Sequence, residues 1–186
     1  LAAPGEIHVT GTGSIRLQAI GGGDAEDIIT ALNQGELNAE LSRDVMTDIW
    51  RKAGINAVLN PLSVLLDASI AEFGTAGNQM ELSLGILNEI KAVGEAVGIR
   101  VDVQDIMDTL AELLKPEVAG AHYPSMYQDI QGAKRTEIDF LNGYFAKLGA
   151  QHQISMPINS LITQLIHAKE DIVRVKQAKT QETFEL

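Results

Sequence analysis

A lysine and two asparagines stand four residues apart in the segment from Trp50 to Leu62. On a helix, Lys52, Asn56 and Asn60 project from successive turns of one face. Most residues between them are apolar, so we expect a largely buried helix whose polar stripe faces a cleft or a polar partner. A partly desolvated ammonium can act there as a general acid, and a neutral amide can bind a hydroxyl or a carboxylate. The alternative interpretation is a solvated face, the usual environment of an isolated Lys or Asn.

A second group of polar residues follows in two short segments. Ser125 and Asp129 belong to the first segment, and Thr136 opens the second. Both hydroxyl residues are predicted to cap helix N-termini. The second segment also contains three polar residues among core-like apolar ones: Glu137, Asp139 and Asn142. This acidic cluster is either part of a functional site or a solvated helix N-terminus, where the helix dipole favours anions.

The residues after Asp44 must position these side chains, and their apolar members recur at helical spacing. Glycines and prolines divide the stretch, and we expect Pro61, Gly98, Pro116, Gly120, Gly149 and Pro157 to mark boundaries. The predicted helices cover residues 44–61, 61–73, 79–97, 103–114, 125–131, 136–148 and 157–176. Residues 177–186 form a polar tail that we expect to fray.

The first 42 residues have a different pattern. Apolar residues between Glu6 and Ile20 fall near period two around Gly11 and Gly13, which predicts a β-hairpin. Asp24 is predicted to cap a helix that ends near Gly35, and residues 37–41 form a further short strand. The glycines also resemble the opening of a dinucleotide-binding fingerprint, but the third glycine and the following helix are absent. We therefore interpret these residues as the trailing edge of a truncated α/β domain.

Composition excludes several kinds of protein. Twenty-five acidic against fourteen basic residues give a formal charge of −11, which disfavours nucleic acids and anionic membrane surfaces as partners. We also expect no membrane span, because charges or glycine interrupt every apolar run. The chain has no cysteine, which is compatible with the cytoplasm and excludes thiolate chemistry. Its four histidines lack ligand-like spacing, so we predict no metal site: His8, His122, His152 and His167.

Three motifs, taken in order and at their intervals, resemble the C-terminal half of the ketopantoate reductases (2-dehydropantoate 2-reductases). They are Lys52-x-x-x-Asn56-x-x-x-Asn60-Pro-Leu, Ser125-Met-x-x-Asp129 and Thr136-Glu-Ile-Asp-x-x-Asn142-Gly. The resemblance runs from about Gly5 to Glu170. One departure is the segment Asp67-Ala-Ser-Ile-Ala-Glu-Phe73, where the family often has an Asn in a Pro-Asn-Gly-like sequence. A substrate contact is expected to be absent there, which leaves room for a related 2-oxo acid.

The resemblance implies an activity and a role for each residue. The family reduces ketopantoate to pantoate in pantothenate biosynthesis, with NADPH bound by an N-terminal Rossmann domain. Lys52 would be the proton donor, and Asn56, Asn60 and Ser125 would bind substrate. Glu137 would contact the cofactor or orient the neighbouring groups. Asp129 would be a supporting residue.

The fold that follows is mainly α. It is a C-terminal domain of six or seven helices, of the 6-phosphogluconate dehydrogenase-like type, after a small α/β remnant of a Rossmann-type domain. The predicted boundaries are residues 1–42 for the remnant, 43–176 for the helical domain and 177–186 for the tail. Because the chain begins at Leu1 without a nucleotide-binding loop, we expect a fragment that is inactive alone and needs the absent Rossmann domain. The edge of the remnant could also pair with a second copy, giving a homodimer.

A different class of function remains open at this point. The chain could be a non-catalytic helical module, for dimerisation or regulation, that retains an ancestral 2-oxo acid pocket, because a fold survives the loss of its activity.

Overall fold

A computed structural model describes residues 13–21, 23–119 and 121–184 of the chain. The chain divides into two compact units, Leu1–Ile49 and Trp50–Leu186. The domain boundaries drawn above from sequence stay a prediction.

In the first unit, two short strands form a parallel sheet: β1 (Ile15–Leu17) and β2 (Ala39–Leu41). Ile15 is opposite Ala39 in the register, and α1 (Glu26–Gln34) connects the strands. The amide of Asn33 fixes the return to β2, since it donates to the Ala39 carbonyl and accepts from the Ala39 N–H. The strand after residue 37 and the helix end at Gly35 are confirmed, whereas the first strand of the predicted hairpin lies outside the described residues.

From Val45 onward the described residues are almost entirely helical, which confirms the predicted fold class. The helices are α2 (Val45–Leu66), α3 (Ile70–Gly74), α4 (Gln79–Ala96), α5 (Val103–Leu113), α6 (Pro116–Ala119), α7 (Ser125–Gln131), α8 (Asn142–Gln151) and α9 (Pro157–Phe184), with a 3₁₀ helix at Ile138–Phe140. Among the described residues, none of these helices has both the length and the apolar composition to cross a bilayer.

The predicted break at Pro61 is wrong, because α2 runs through it to Leu66. Proline has no N–H to donate to the carbonyl of residue 57, so the Ala57 oxygen needs another donor. The buried side chain of Asn142 supplies it, since Asn142 Nδ2 lies 3.0 Å from that oxygen. The helix therefore tolerates its internal proline because a side chain from α8 replaces the lost bond.

Two other helix ends differ from the prediction. Gly149 lies inside α8 and does not end it, because the helix packs so closely on Met156 that a β-carbon at this position would overlap the Met156 side chain. The segment 136–148 is not one helix, since a 3₁₀ turn precedes α8.

The predicted end of the last helix near Lys176 is also wrong. The last helix continues past Lys176 to Phe184. Residues 177–184 contain no Gly or Pro and include several strong helix formers, so nothing in the sequence stops the helix.

A chain of buried polar contacts links four helices in the core. Asn142 also donates to Asn159 Oδ1 at 3.0 Å, and Asn159 Nδ2 donates to the Glu89 carboxylate at 2.8 Å. The same carboxylate accepts the backbone N–H groups of Ile158 and Asn159, which are the free donors at the start of α9. These contacts connect α2, α8, α9 and α4.

We predict that Asn142→Ala lowers the free energy of unfolding by roughly 2–4 kcal/mol, because it leaves buried acceptors unpaired and a small cavity. The loss should be smaller by about 1 kcal/mol in a Pro61→Ala background, where residue 61 regains an N–H for the Ala57 carbonyl. Urea denaturation of the wild type, the two single variants and the double variant measures the coupling free energy between positions 61 and 142. Strict additivity of the two substitutions would contradict this explanation of the proline.

Candidate functional site

The carboxylate of Glu137 joins two segments that are far apart in the sequence. Its Oε1 accepts hydrogen bonds from Asn60 Nδ2 at 3.1 Å and from Ser125 Oγ at 3.2 Å. Asn60 is only 5% exposed, Glu137 is half-buried and Ser125 is exposed, so the cluster runs from the core to the surface. Three residues predicted from separate motifs therefore lie together in the second unit.

The predicted capping role of Ser125 is wrong. The N-cap of α7 is the buried Pro124, and no side chain caps that helix. Ser125 is the first residue of the helix, and its hydroxyl donates to Glu137. A tertiary contact has replaced the local capping bond that the sequence indicated.

The α2 helix carries Lys52, Asn56 and Asn60 with increasing burial. Lys52 is exposed, Asn56 is half-buried and Asn60 is buried. Eight residues of helix place Lys52 about 12 Å from Asn60 along the axis. The described residues around Lys52 do not bury it, so the partial desolvation expected from its apolar neighbours is not seen. The reason is that those neighbours, such as Ala57 and Val58, lie on the core face of α2.

Asp129 is not part of the Glu137 cluster. It lies one turn after Ser125 on α7 and is half-buried. Its backbone carbonyl accepts the N–H of Lys134 at 2.9 Å. Its carboxylate makes no hydrogen bond to another described side chain, and the supporting role stays a prediction.

The acidic cluster after Thr136 separates into three environments. Glu137 faces Asn60 and Ser125, Asp139 bonds to His167 Nε2 at 2.9 Å, and Asn142 lies in the core. Phe140, predicted as core-like, is 83% exposed, because the 3₁₀ turn directs Ile138 inward instead. The sequence offered two interpretations, a functional site or a solvated helix N-terminus. Neither of them describes Glu137, Asp139 and Asn142 together.

Two residues of α9 that sequence reasoning missed lie against this segment. Glu170, only 3% exposed, accepts the Thr136 N–H at 2.8 Å and the Thr136 hydroxyl at 2.7 Å. His167 lies between Asp139 and Glu170, at 2.9 Å and 3.4 Å. The one signal in the sequence was their i, i+3 spacing, which brings a histidine and a glutamate together on a helix face.

The ionisation of this pair follows from its contacts. Partial burial lowers the pKa of His167, but the hydrogen bonds and charges of Asp139 and Glu170 outweigh it, and the net pKa is raised above 6.5. Burial likewise raises the pKa of Glu170, but the Thr136 and His167 hydrogen bonds outweigh it, and the net pKa is lowered. The two groups therefore favour each other's charged forms.

The polar side chains of the segment that departs from the family pattern, residues 67–73, bond to other groups of the protein. Asp67, in the left-handed region at φ 53°, accepts the Tyr127 hydroxyl at 2.7 Å. This bond is the main cause of the raised pKa of Tyr127. Ser69 and Glu72 form a capping box at the start of α3, a signal that the Ser-x-x-Glu spacing already contained.

The donor set of the site suits hydroxyl-bearing ligands. Asn60 and Ser125 bond to one oxygen of Glu137, while no described residue bonds to its Oε2. A carboxylate oxygen accepts a hydroxyl proton but repels a phosphate. Oε2 of Glu137 can therefore accept a hydrogen bond from a ligand hydroxyl group.

These helices and this site define a known type of helical domain. Residues 44–170 match the model of the family "Ketopantoate reductase PanE/ApbA C terminal", which covers more than half of the chain. The chain belongs to the ketopantoate reductase family, which confirms the resemblance read from the three motifs.

Individual relatives agree with this assignment. The chain is 32% identical over 180 residues to a 2-dehydropantoate 2-reductase of Lactococcus lactis, and 34% identical over 184 residues to one of Streptococcus pyogenes. Each alignment covers 95% of this chain but 58% of the relative, so the chain spans little more than half their length. A structure of D-mandelate dehydrogenase with NADH and anilino(oxo)acetate has a TM-score of 0.86 and 34% identity, over 90% of this chain and 70% of that one.

We predict a pH-dependent contribution of His167 to stability. Because its pKa is raised by folding, the contribution is complete below pH 6.5 and is lost as the pH rises through the folded-state pKa. Above pH 6.5, wild-type protein should therefore lose stability with pH more steeply than His167→Gln, as measured by urea denaturation. His152→Gln is the control, because His152 is exposed, and it should keep the wild-type slope. Equal slopes for His167→Gln and wild type would contradict the assignment.

Proposed function

We propose that this chain is the substrate-binding part of a nicotinamide-dependent reductase of 2-oxo acids, with ketopantoate as the substrate. The observation that carries the proposal is the convergence of Asn60, Ser125 and Glu137, from three motifs, on one polar cluster in an otherwise apolar helical unit. The family match and the two reductase relatives support the same substrate class.

Each residue has a task in this reaction. The bound nicotinamide supplies the hydride. Lys52, exposed at the outer end of the polar stripe, donates a proton to the developing alkoxide and stabilises its charge. Asn56 and the second amide proton of Asn60 donate hydrogen bonds to the substrate, and the Ser125 oxygen, whose own proton is bonded to Glu137, accepts one from a substrate hydroxyl.

Glu137 is assigned to the cofactor side of the site. Its Oε1 holds Asn60 and Ser125, and its Oε2, to which no described residue bonds, can accept a ligand hydroxyl. Asp129, one turn beyond Ser125, supports α7.

The rest of the enzyme is supplied by a nucleotide-binding domain. The chain spans 58% of the length of each reductase relative, and its two-stranded parallel sheet with one connecting helix suits the trailing edge of a Rossmann-type domain. The proposed boundaries are residues 1–42 and 43–176, with the last residues as an appended segment. NADPH is the proposed cofactor, and a reductase of pantothenate biosynthesis would work in the cytoplasm.

A second candidate substrate is an aromatic 2-oxo acid. The D-mandelate dehydrogenase structure is as similar in sequence to this chain as the reductases are, and it contains NADH. At the departing segment, Asp67 is bonded to Tyr127, whose ring stacks on Tyr123 at 4.3 Å two residues before Ser125. An aromatic pair beside a polar site favours a substrate with a ring.

The deciding experiment supplies the chain with a nucleotide-binding domain, in one polypeptide or by mixing, and measures reduction of ketopantoate and of 2-oxo-2-phenylacetate with NADPH and NADH. A higher kcat/KM for ketopantoate with NADPH is the expected result. The reverse order would establish the second candidate. Cofactor binding without turnover of either acid would favour the non-catalytic helical module.

In that active form, we predict that Lys52→Ala lowers kcat by about 10²- to 10⁴-fold, the usual contribution of a general acid, with a smaller change in KM. Lys147→Ala is the matched control, because Lys147 is an exposed lysine on a different helix, α8. A kcat for Lys52→Ala within threefold of wild type would remove Lys52 from the mechanism.

The homodimer predicted from the sequence has a second candidate interface on α9, besides the edge of the N-terminal sheet. Its exposed apolar residues are spaced by three and four in alternation, as in the seam of a coiled coil: Ile158, Leu161, Leu165, Ala168, Ile172 and Val175. The five larger side chains are 39% to 56% exposed. A seam of this kind suits the same helix of a second copy, giving a homodimer.

We therefore predict that Leu165→Lys weakens dimerisation at least tenfold, because it places a charge in the seam. Sedimentation equilibrium measures the dissociation constant. Gln164→Lys adds the same charge beside the seam and should leave it nearly unchanged. A monomeric wild-type protein would rule the dimer out, and equal effects of both variants would place the interface elsewhere.

A further inference from the structure

Glu170 is a carboxylate almost fully removed from solvent, which is costly unless its oxygens are bonded. One oxygen, Oε1, accepts both the N–H and the hydroxyl of Thr136, at 2.8 Å and 2.7 Å. The other, Oε2, lies 3.4 Å from His167 Nδ1 and 4.0 Å from Arg135 Nη1. The residue just before Glu137 is thus tied to α9 by two bonds to a charged acceptor, which are stronger than neutral ones.

His167, one turn earlier on α9, ties the other side of the same segment. Its Nε2 lies 2.9 Å from Asp139 Oδ1, two residues after Glu137. The charged groups that face His167 are Asp139 from the 3₁₀ helix and Glu170 from α9, and Arg135 lies near the same Glu170 oxygen as His167. One turn of α9 therefore holds Thr136 and Asp139, with Glu137 between them.

The direction of Glu137 is then restricted. Ile138 is fully buried and anchors the backbone next to Glu137. Thr136 before Glu137 and Asp139 after Ile138 are both bonded to α9. The Glu137 carboxylate is left to face Asn60 and Ser125.

We propose that Glu170 and His167 are positioning residues, which hold the segment 136–139 so that Glu137 keeps its hydrogen bonds with Asn60 and Ser125. Their role in the reaction rests on the proposed function, but their effect on Glu137 does not. A site residue held to a fraction of an ångström needs such a supporting set of bonds, because small displacements are costly in catalysis.

The first test follows Glu137 without measuring activity. In NMR spectra of the chain, Glu170→Gln should shift the side-chain amide resonances of Asn60 and speed hydrogen exchange of the Thr136 amide at least tenfold. Asp171→Asn is the control, because the neighbouring Asp171 forms an exposed pair with Arg174, and it should change neither. Faster exchange at Thr136 with unchanged Asn60 resonances would overturn the proposal, since Glu170 would then stabilise only the backbone.

A milder pair of variants covers the case in which Glu170→Gln fails to fold. Thr136→Val removes one of the two bonds to Glu170 and keeps the shape, so it should give a smaller Asn60 shift in the same direction. Thr136→Ser retains the hydroxyl and should give the wild-type Asn60 resonances. An Asn60 signal that is identical in all three proteins would also overturn the proposal.

The second test uses the chain supplied with its nucleotide-binding domain. Glu170→Gln and His167→Gln should each raise KM or lower kcat at least fivefold, and His167→Gln should remove a step from the pH profile of kcat/KM near the pKa of His167. Unchanged kinetics and pH profile in both variants would overturn the catalytic relevance of the pair. If the NMR shifts occur but wild-type protein reduces no 2-oxo acid, the proposed function fails while the positioning of Glu137 stands.

Discussion

The Ala57 carbonyl is the point on which the arrangement of the helices depends. Pro61 deprives it of its helical partner, and Asn142 reaches from α8 to bond to it. The same asparagine continues to Asn159 and, through it, to Glu89 on α4. Because Asn142 and Asn159 are buried, leaving one of these bonds unmade would cost about 1–3 kcal/mol, which favours the relative arrangement of the four helices. Asn60 lies on the same turn of α2 as this contact.

The polar site differs from this core network in one respect. In the core, the amide protons of Asn142 and the Glu89 oxygens are bonded to protein groups, and the remaining Asn142 oxygen, which has no hydrogen-bond partner among the described residues, is buried away from any ligand. At Glu137, two neutral donors share one oxygen, which leaves capacity for a ligand. The burial gradient along α2, from Lys52 at the surface to Asn60 in the interior, would place a charged group at the mouth of the site and neutral amides deeper in it. This order agrees with the high cost of burying an unpaired charge.

The acidic side chains of this chain bond locally to backbone N–H groups in several places. Glu89 bonds to the start of α9, Glu170 to Thr136, and Glu72 closes the capping box at Ser69. Carboxylates in such positions satisfy donors that helix ends leave free. Some of the acidic residues behind the net charge of −11 therefore stabilise helix ends and loops, and their carboxylates are not available to bind ligands.

The sequence by itself determined the helical class, most helix ends and the identity of Lys52, Asn56, Asn60, Ser125 and Glu137 as candidates. Helical periodicity, glycine ends and the spacing of motifs are local signals, and they survive in any tertiary context. Only the tertiary structure decided that α2 passes through Pro61, that Ser125 bonds to Glu137 instead of capping α7, and that Glu170 holds Thr136. Each of these outcomes depends on a donor or acceptor more than ten residues away in the chain. A local pattern shows that a polar group needs a partner, but the folded chain decides which group becomes the partner.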